Sequence, residues 1–300
     1  MSTTLFIGLG HMGAPMAIRH ARVHPTAVFD VSGEAVAEVV RSAGAVAVDA
    51  LDNLPADVGV VILMLPTSRH VESILLGAEG LLTTLARGSI VIDMGSSEPD
   101  STRALAAEAA RRGIDYVDAP VSGGVPKAVS GELAIMVGGT TAAVERAMPH
   151  LDVLGASILH VGPAGAGDAA KALNNLVSAS NIAVASEALS IAERFGIDPG
   201  TMTAVLNEAT GRSQATELKF PRYILTGSFD SGFAYDLMLK DMSIAMGIAD
   251  GLETPVVDTV FETLRGSRGR LGDAPDHTEI GRLYGLGTTP HDPTEKETSK

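Results

Sequence analysis

Apolar and polar positions fall into two regimes along the chain. Up to about residue 162, short apolar runs alternate with longer amphipathic stretches. The runs are Thr4–Gly8, Ala27–Phe29, Val58–Leu65, Ser89–Asp93, Asp115–Asp118, Ala134–Val137 and Ser157–Val161. Each has the length and apolar character of a strand buried on both faces. Val58–Leu65 (VGVVILML) is the most apolar and is expected near the centre of the sheet. Strands alternating with helices predict a parallel, doubly wound α/β domain over residues 1–162.

The pattern then becomes helical. Gly162, Gly165 and Gly167 interrupt the backbone, and neither proline nor glycine appears again until Gly196. Good helix formers dominate this stretch. They predict one helix from about Asp168 to about Phe195, roughly 40 Å long at about 1.5 Å per residue. So long a helix reads as a beam, over 163–196, leading to an all-α domain over 197–288. In that domain Asp198-Pro199 opens a helix with a cap and a proline in the first turn. A loop carrying Arg212, Phe220, Pro221 and Gly227 follows, and Phe233–Ile248 reads as a further helix. Residues 289–300 are polar and proline-bearing and are expected to form a flexible tail.

Composition narrows the function. With 300 residues, 45% hydrophobic and 19% charged, the chain can fill a large core. A net charge of -14 argues against a nucleic-acid partner, which needs a basic stripe. Any anionic substrate has to be held by a local site against the overall field. The lack of cysteine removes disulfides, thiolate metal sites and a cysteine nucleophile. The apolar runs are too short and too broken to cross a membrane. The N-terminus MSTTLFIGLG lacks the pattern of a cleaved leader, so a cytosolic (cytoplasmic) protein is expected.

The chemistry starts at Gly8, Gly10 and Gly13, which form G-x-G-x-x-G with a strand before and a helix after. The first glycine permits a tight turn, the second lets a pyrophosphate approach the backbone, and the third lets helix and strand pack closely. The helix N-terminus then offers free N–H groups to the phosphates. Asp30 ends the second strand, 20 residues after Gly10, where a carboxylate takes the ribose 2′-hydroxyl and repels a 2′-phosphate. That favours NAD over NADP. Later strands end in small polar loops at the edge where such sheets bind ligands: Pro66-Thr67-Ser68, Met94 to Ser97 and Ala119 to Gly124. Beyond them, Lys171 and Asn175 lie four apart on the long helix, on one face one turn from each other, with Asn174 beside them.

Four separated motifs together resemble the 3-hydroxyisobutyrate dehydrogenase family, the β-hydroxyacid dehydrogenases. They are GLGHMGAPMA at 8–17, MLPTS at 64–68, DAPVSGG at 118–124 and GAGDAAKALNN at 165–175, in order across about residues 4 to 285. The resemblance implies a Rossmann domain, a long connecting helix and an all-α domain that pairs with a second copy in a homodimer or homotetramer. It implies that Lys171 is the catalytic lysine, that Asn175 orients the substrate with Asn174 nearby, and that Ser122, Gly123 and Gly124 receive the substrate carboxylate. It places Gly8, Gly10, His11, Met12, Gly13, Asp30, Leu65, Pro66, His70 and Ser96 at the cofactor. Phe233, Lys240 and Asp241 fall where the all-α domain closes over it. His70 and Ser96 stand where better-known members often carry asparagine and threonine, and both replacements still form hydrogen bonds. The stretch GRSQATELKF at 211–220 also departs from familiar relatives, which bears on the substrate.

The implied reaction moves hydride between a small anionic 3-hydroxy acid and NAD, giving the semialdehyde. A lysine beside the hydroxyl takes its proton or, in reverse, donates one. Backbone N–H groups would fix the carboxylate without a mobile charge. No metal is expected, and the eight histidines are read as solvated or structural. Two further readings stay open. One is a reductase of a small semialdehyde, such as tartronate or succinic semialdehyde, or a dehydrogenase of threonate-like or sulfonated acids. The other is a dinucleotide-binding scaffold without turnover, or an imine reductase. Both would be expected to have lost the lysine, which is present here.

Overall fold

The computed structural model describes residues 2–287. The chain divides into two compact units between Lys171 and Ala172, inside the long helix.

In the first unit, β1 (Thr3–Ile7), α1 (Gly13–Ala21), β2 (Thr26–Phe29), α2 (Gly33–Ala43) and β3 (Val46–Ala47) come first. Next are β4 (Val58–Leu63), α3 (Ser68–Leu75), α4 (Leu81–Thr84), β5 (Ile90–Asp93), α5 (Pro99–Arg111) and β6 (Asp115–Asp118). The unit ends with β7 (Val121–Ser122), α6 (Gly124–Ser130), β8 (Leu133–Gly138), α7 (Thr141–Leu151), β9 (Gly155–Gly162) and the first turns of α8 (Ala166–Phe195). The strands form one sheet in the order β3-β2-β1-β4-β5-β6-β8-β7, with β9 beside β8. Pairing is parallel from β3 to β6, and β8 lies antiparallel to both β6 and β7.

Side chains alternate across this sheet, which is why its strands read as continuous apolar runs. Phe6, Ile62 and Ile92 enter one buried cluster, and Leu5, Ile7, Val61, Leu63 and Val91 enter the other. Helices cover both faces, so neither set of alternate positions is polar. Two strands were not evident in the sequence. β3 and β7 have two residues each, too few to show a period, and Val121–Ser122 reads as loop. Pairing decides the second case: Val121 lies opposite Ile135 and Ser122 opposite Ala134.

The second unit is helical. After the rest of α8 come α9 (Pro199–Glu208), a π-helix over Ala215–Ile224, α10 (Tyr235–Ile248), α11 (Pro255–Ser267) and α12 (Ile280–Leu283). Its core gathers Ile182, Leu189, Phe220, Ile224, Tyr235, Met242, Leu264 and Ile280. The π-helix corrects the loop expected around Phe220 and Pro221. Proline normally breaks a helix by withholding an N–H. Here Phe220 and Ile224 are fully buried, and the wider winding lets Leu225 N–H reach back to Phe220 O at 2.9 Å. Burial overrides the local signal. Among the described residues, no helix is long and apolar enough to cross a membrane. The tail expected over 289–300 lies outside the described residues.

Candidate active site

The three glycines of the first turn differ in what surrounds them. Gly8 has φ +94°, and a Cβ there would lie 2.3 Å from Met64 O. A Cβ on Gly13 would lie 1.9 Å from Gly8 O, so α1 sits directly on the turn that precedes it. A Cβ on Gly10 would meet nothing within 4 Å. Gly10 is thus not there for internal packing; it leaves open backbone beside the N-terminus of α1, as a pyrophosphate requires. β1 and β4 are neighbours whose crossovers run opposite ways, and the turn lies at that switch point.

Asp30 reaches back into the turn. Its Oδ2 accepts Leu9 N–H at 2.6 Å and its Oδ1 accepts Ser32 N–H at 2.8 Å. The carboxylate is therefore held at the end of β2 by the backbone on both sides of it. His11 is exposed and Met12 half-buried on the same turn. Leu65 is half-buried, Pro66 is exposed and Ser96 is half-buried. A Cβ on Gly95 would lie 2.7 Å from Leu65 O, so the loops after β4 and β5 abut. His70 is exposed on α3, with Nδ1 2.7 Å from Thr67 Oγ1.

Ser122 ends β7 on the sheet, half-buried. The exposed Gly123 and Gly124 follow, with φ +136° and +70°. Any side chain would strain this backbone. The two glycines leave a bare stretch of main chain.

Beneath these loops lies a group with no role assigned from sequence, Asp93 at a strand end and Asp118 and Asp168 inside motifs, all buried. Asp93 accepts Gly95 N–H at 3.0 Å, Ser97 Oγ–H at 2.9 Å and Tyr116 O–H at 3.3 Å. Asp168 accepts Thr102 Oγ1–H at 2.7 Å and Ser97 N–H at 3.1 Å. Asp118 accepts Gly165 N–H at 2.9 Å and Asp168 N–H at 3.0 Å, which caps the first turn of α8 from the end of β6. Burial pushes all three carboxyls above the usual range and raises Tyr116 as well. Gly167 is required here too, since a Cβ would lie 2.5 Å from Met136 O and 2.8 Å from Asp118 Oδ2. The signal was an acid at the end of each of two central strands and one in the first turn of α8. Each reads alone as an ordinary loop or cap residue.

Lys171 emerges from that anchored turn and is only 8% exposed. A lysine so buried is not a solvated surface residue.

In the second unit, Asn175 is buried and its Nδ2 donates to Asp241 Oδ2 at 2.6 Å. Asn174 Nδ2 donates to Asn175 Oδ1 at 3.1 Å, and Lys240 Nζ lies 3.3 Å from Asp241 Oδ1. The buried Asp241 thus joins α8 to α10 and fixes the amide of Asn175. Phe233 precedes α10. Its N–H donates to Asp276 Oδ2 at 3.1 Å, and its ring packs edge-on against His277 at 5.2 Å.

A mostly parallel sheet with a glycine turn at its switch point and an acid at the end of β2 defines a dinucleotide-binding domain. Comparison with known proteins makes this more specific. Residues 3–162 match the model of the NAD binding domain of 6-phosphogluconate dehydrogenase. Residues 165–284 match that of the NAD-binding domain of NADP-dependent 3-hydroxyisobutyrate dehydrogenase. The chain is 41% identical to 2-(hydroxymethyl)glutarate dehydrogenase of Eubacterium barkeri, covering 86% of each protein. It is 36% identical to 3-hydroxyisobutyrate dehydrogenase of Pseudomonas aeruginosa, over 84% of this chain and 87% of that one. The structure of Mycobacterium tuberculosis 3-hydroxyisobutyrate dehydrogenase with L-serine superposes with TM-score 0.86 and 30% identity, covering 94% of this chain and 99% of that one. The chain belongs to the 3-hydroxyisobutyrate dehydrogenase family of β-hydroxyacid dehydrogenases, and its cofactor is NAD(P).

Proposed function

We propose that this chain oxidises small acids carrying a hydroxymethyl group next to the carboxylate, HOCH2–CH(R)–COO⁻, to their semialdehydes, with NAD as oxidant. The names of the relatives support the substrate class. 2-(Hydroxymethyl)glutarate, 3-hydroxyisobutyrate and L-serine share that fragment and differ only in R. The observation that carries the mechanism is Lys171, buried on a helical turn that two carboxylates anchor.

The bare backbone of Ser122, Gly123 and Gly124 holds the substrate carboxylate through N–H groups. Lys171 Nζ takes the hydroxyl proton while the C–O bond becomes a carbonyl and the C–H hydride departs. When bound, the nicotinamide accepts that hydride. In reverse, the Lys171 ammonium polarises the aldehyde and returns the proton. Asn175 lies one helical turn beyond Lys171 and, with Asn174, orients the substrate. Asp241 is a positioning residue that fixes the Asn175 amide. Gly8, Gly10, His11, Met12 and Gly13 take the pyrophosphate, and Asp30 takes the adenosine ribose in preference to a 2′-phosphate. Leu65, Pro66, His70, Ser96, Phe233 and Lys240 line the rest of the cofactor. We place the enzyme in the cytosol as a homodimer or homotetramer. The support for assembly is a seam of exposed Leu173, Val177, Val184, Ile191 and Phe195 along α8.

Initial rates on a substrate panel test the reading. 3-Hydroxyisobutyrate, 2-(hydroxymethyl)glutarate and L-serine are expected to include the best substrate. 3-Hydroxybutyrate, a secondary alcohol, and simple 2-hydroxy acids are expected to be poor. A best rate on lactate or another 2-hydroxy acid that lacks the hydroxymethyl group, or on a sulfonate without a carboxylate, overturns the assignment.

A further inference from the structure

Far from the carboxyl edge of the sheet, the C-terminal ends of α1 and α7 bring three imidazoles together. His20 and His24 are four residues apart, and His150 is in the last turn of α7. One ring nitrogen of each lies within 4.8 Å of the other two. The reading of the histidines as solvated or structural passed over the His20–His24 pair, an i, i+4 spacing that suits two ligands, with His24 in the turn just past α1. His150 could not be linked to them from sequence, because it lies far along the chain.

The hydrogen bonds set the tautomers. Thr26 Oγ1 spends its one proton on His24 O at 2.8 Å. His20 Nδ1, 2.9 Å from Thr26 Oγ1, must therefore donate to it. His20 Nε2 is left with a lone pair, facing His150 Nδ1 at 2.9 Å. This is the arrangement of a metal ligand: one ring nitrogen tied to an oxygen, the other presented as a donor of electrons. His20 is fully buried, so its orientation is fixed before anything binds. His24 Nε2 lies 3.1 Å from Pro149 O, a carbonyl in the last turn of α7. Two helix C-termini meet here, and their dipoles favour a cation.

We infer that His20, His24 and His150 bind one divalent first-row transition ion. Three imidazoles select zinc, copper or nickel over magnesium or calcium. Zinc–nitrogen bonds of about 2.0–2.1 Å put tetrahedral ligand atoms about 3.3 Å apart. The His20–His150 pair has to open by a few tenths of an ångström, and His24 has to swing inward. His24 and His150 are only partly buried, and His150 would exchange its hydrogen bond to His20 Nε2 for the ion. The bound ion would pin α1 to α7, a structural rather than a catalytic role.

The test titrates tag-free, EDTA-dialysed protein with Zn²⁺ by calorimetry and with Co²⁺ by visible absorption. The unaltered chain is expected to bind one equivalent with a dissociation constant in the micromolar range or below, and to melt at a higher temperature with zinc. His24→Ala and His150→Ala should each weaken binding by at least about tenfold. Together they should abolish the zinc-dependent rise in melting temperature. His160→Ala should bind as the unaltered chain does, and dehydrogenase activity should be the same in all five proteins. Binding weaker than millimolar, or equal affinity in the double variant, overturns the site.

Discussion

The carboxylate of Asp118 accepts the backbone N–H of Asp168 at 3.0 Å, tying the end of a central strand to the first turn of the helix that carries Lys171. The same carboxylate holds Gly165 N–H, and Asp168 in turn holds Thr102 and the Ser97 backbone. Asp118→Asn turns a second acceptor into a donor against a backbone N–H. It should cost about 1–3 kcal/mol of stability, the penalty for one mismatched buried polar group. The turn carrying Lys171 then loosens, and kcat should fall by about tenfold to a hundredfold. NADH affinity should hold, because the glycine turn is untouched. Calorimetric unfolding together with steady-state rates checks both parts. A variant with normal kcat would show that the cap does not position the lysine.

Acid should destabilise the first unit through the imidazole group. Burial holds His20 down to about 3 and His150 to about 4. Unfolded histidines titrate near 6.5, so below that pH the unfolded chain binds protons that the folded chain refuses. Their contribution is complete above about pH 6.5 and is lost as the pH falls toward 4 for His150 and toward 3 for His20. For the fully buried His20 the slope approaches about 1.4 kcal/mol per pH unit. Urea unfolding in EDTA, run from pH 7 to pH 4, should show that loss, and His150→Gln should make it shallower. An identical pH profile in the variant would remove these imidazoles from the account.

Cofactor choice should follow Asp30. Its two oxygens accept Leu9 N–H and Ser32 N–H, which fix the carboxylate at the end of β2. Val31 beside it is 97% exposed and offers no cation. NAD should give the higher kcat/KM at equal ionic strength. Asp30→Ser combined with Val31→Arg should shift the NAD-to-NADP ratio by at least about tenfold toward NADP. Equal use of both cofactors by the unaltered enzyme would contradict the assignment.

Assembly should depend on the seam of α8. Val177, Val184 and Ile191 recur every seventh residue and are 56%, 59% and 71% exposed. That spacing is the one by which helices pack along a shared face. Sedimentation should give a dimer or tetramer for the unaltered chain and a single chain for Val184→Glu with Ile191→Glu. A monomeric unaltered protein would show that the seam is covered by something other than a second copy.

Much of this was legible in the sequence, for identifiable reasons. The parallel strands were visible because both faces are buried, so Val58–Leu63 carries no polar interruption. The long helix was visible because no glycine or proline breaks it between Gly167 and Gly196. Gly8 and Gly13 were legible because each answers a separate steric need, and Gly10 because it completes their spacing. What stayed hidden depends on contacts between distant positions. The π-helix at Pro221 exists because Phe220 and Ile224 are buried, which no local rule anticipates. The links from Asp118 to Asp168 and from Asn175 to Asp241 span 50 and 66 residues and leave no periodic trace. His150 joins His20 across 130 residues in the same way.

The central claim is that Lys171 carries the proton. The most direct measurement is kcat for Lys171→Met on the best hydroxymethyl acid, alongside NADH binding by fluorescence. The account predicts a fall in kcat of about a hundredfold to ten-thousandfold, with NADH binding retained. Lys171→Arg should not rescue, because a guanidinium keeps its proton at working pH. A methionine variant that binds NADH and turns over at a near-normal rate would contradict the account, and Lys240 would become the residue to test.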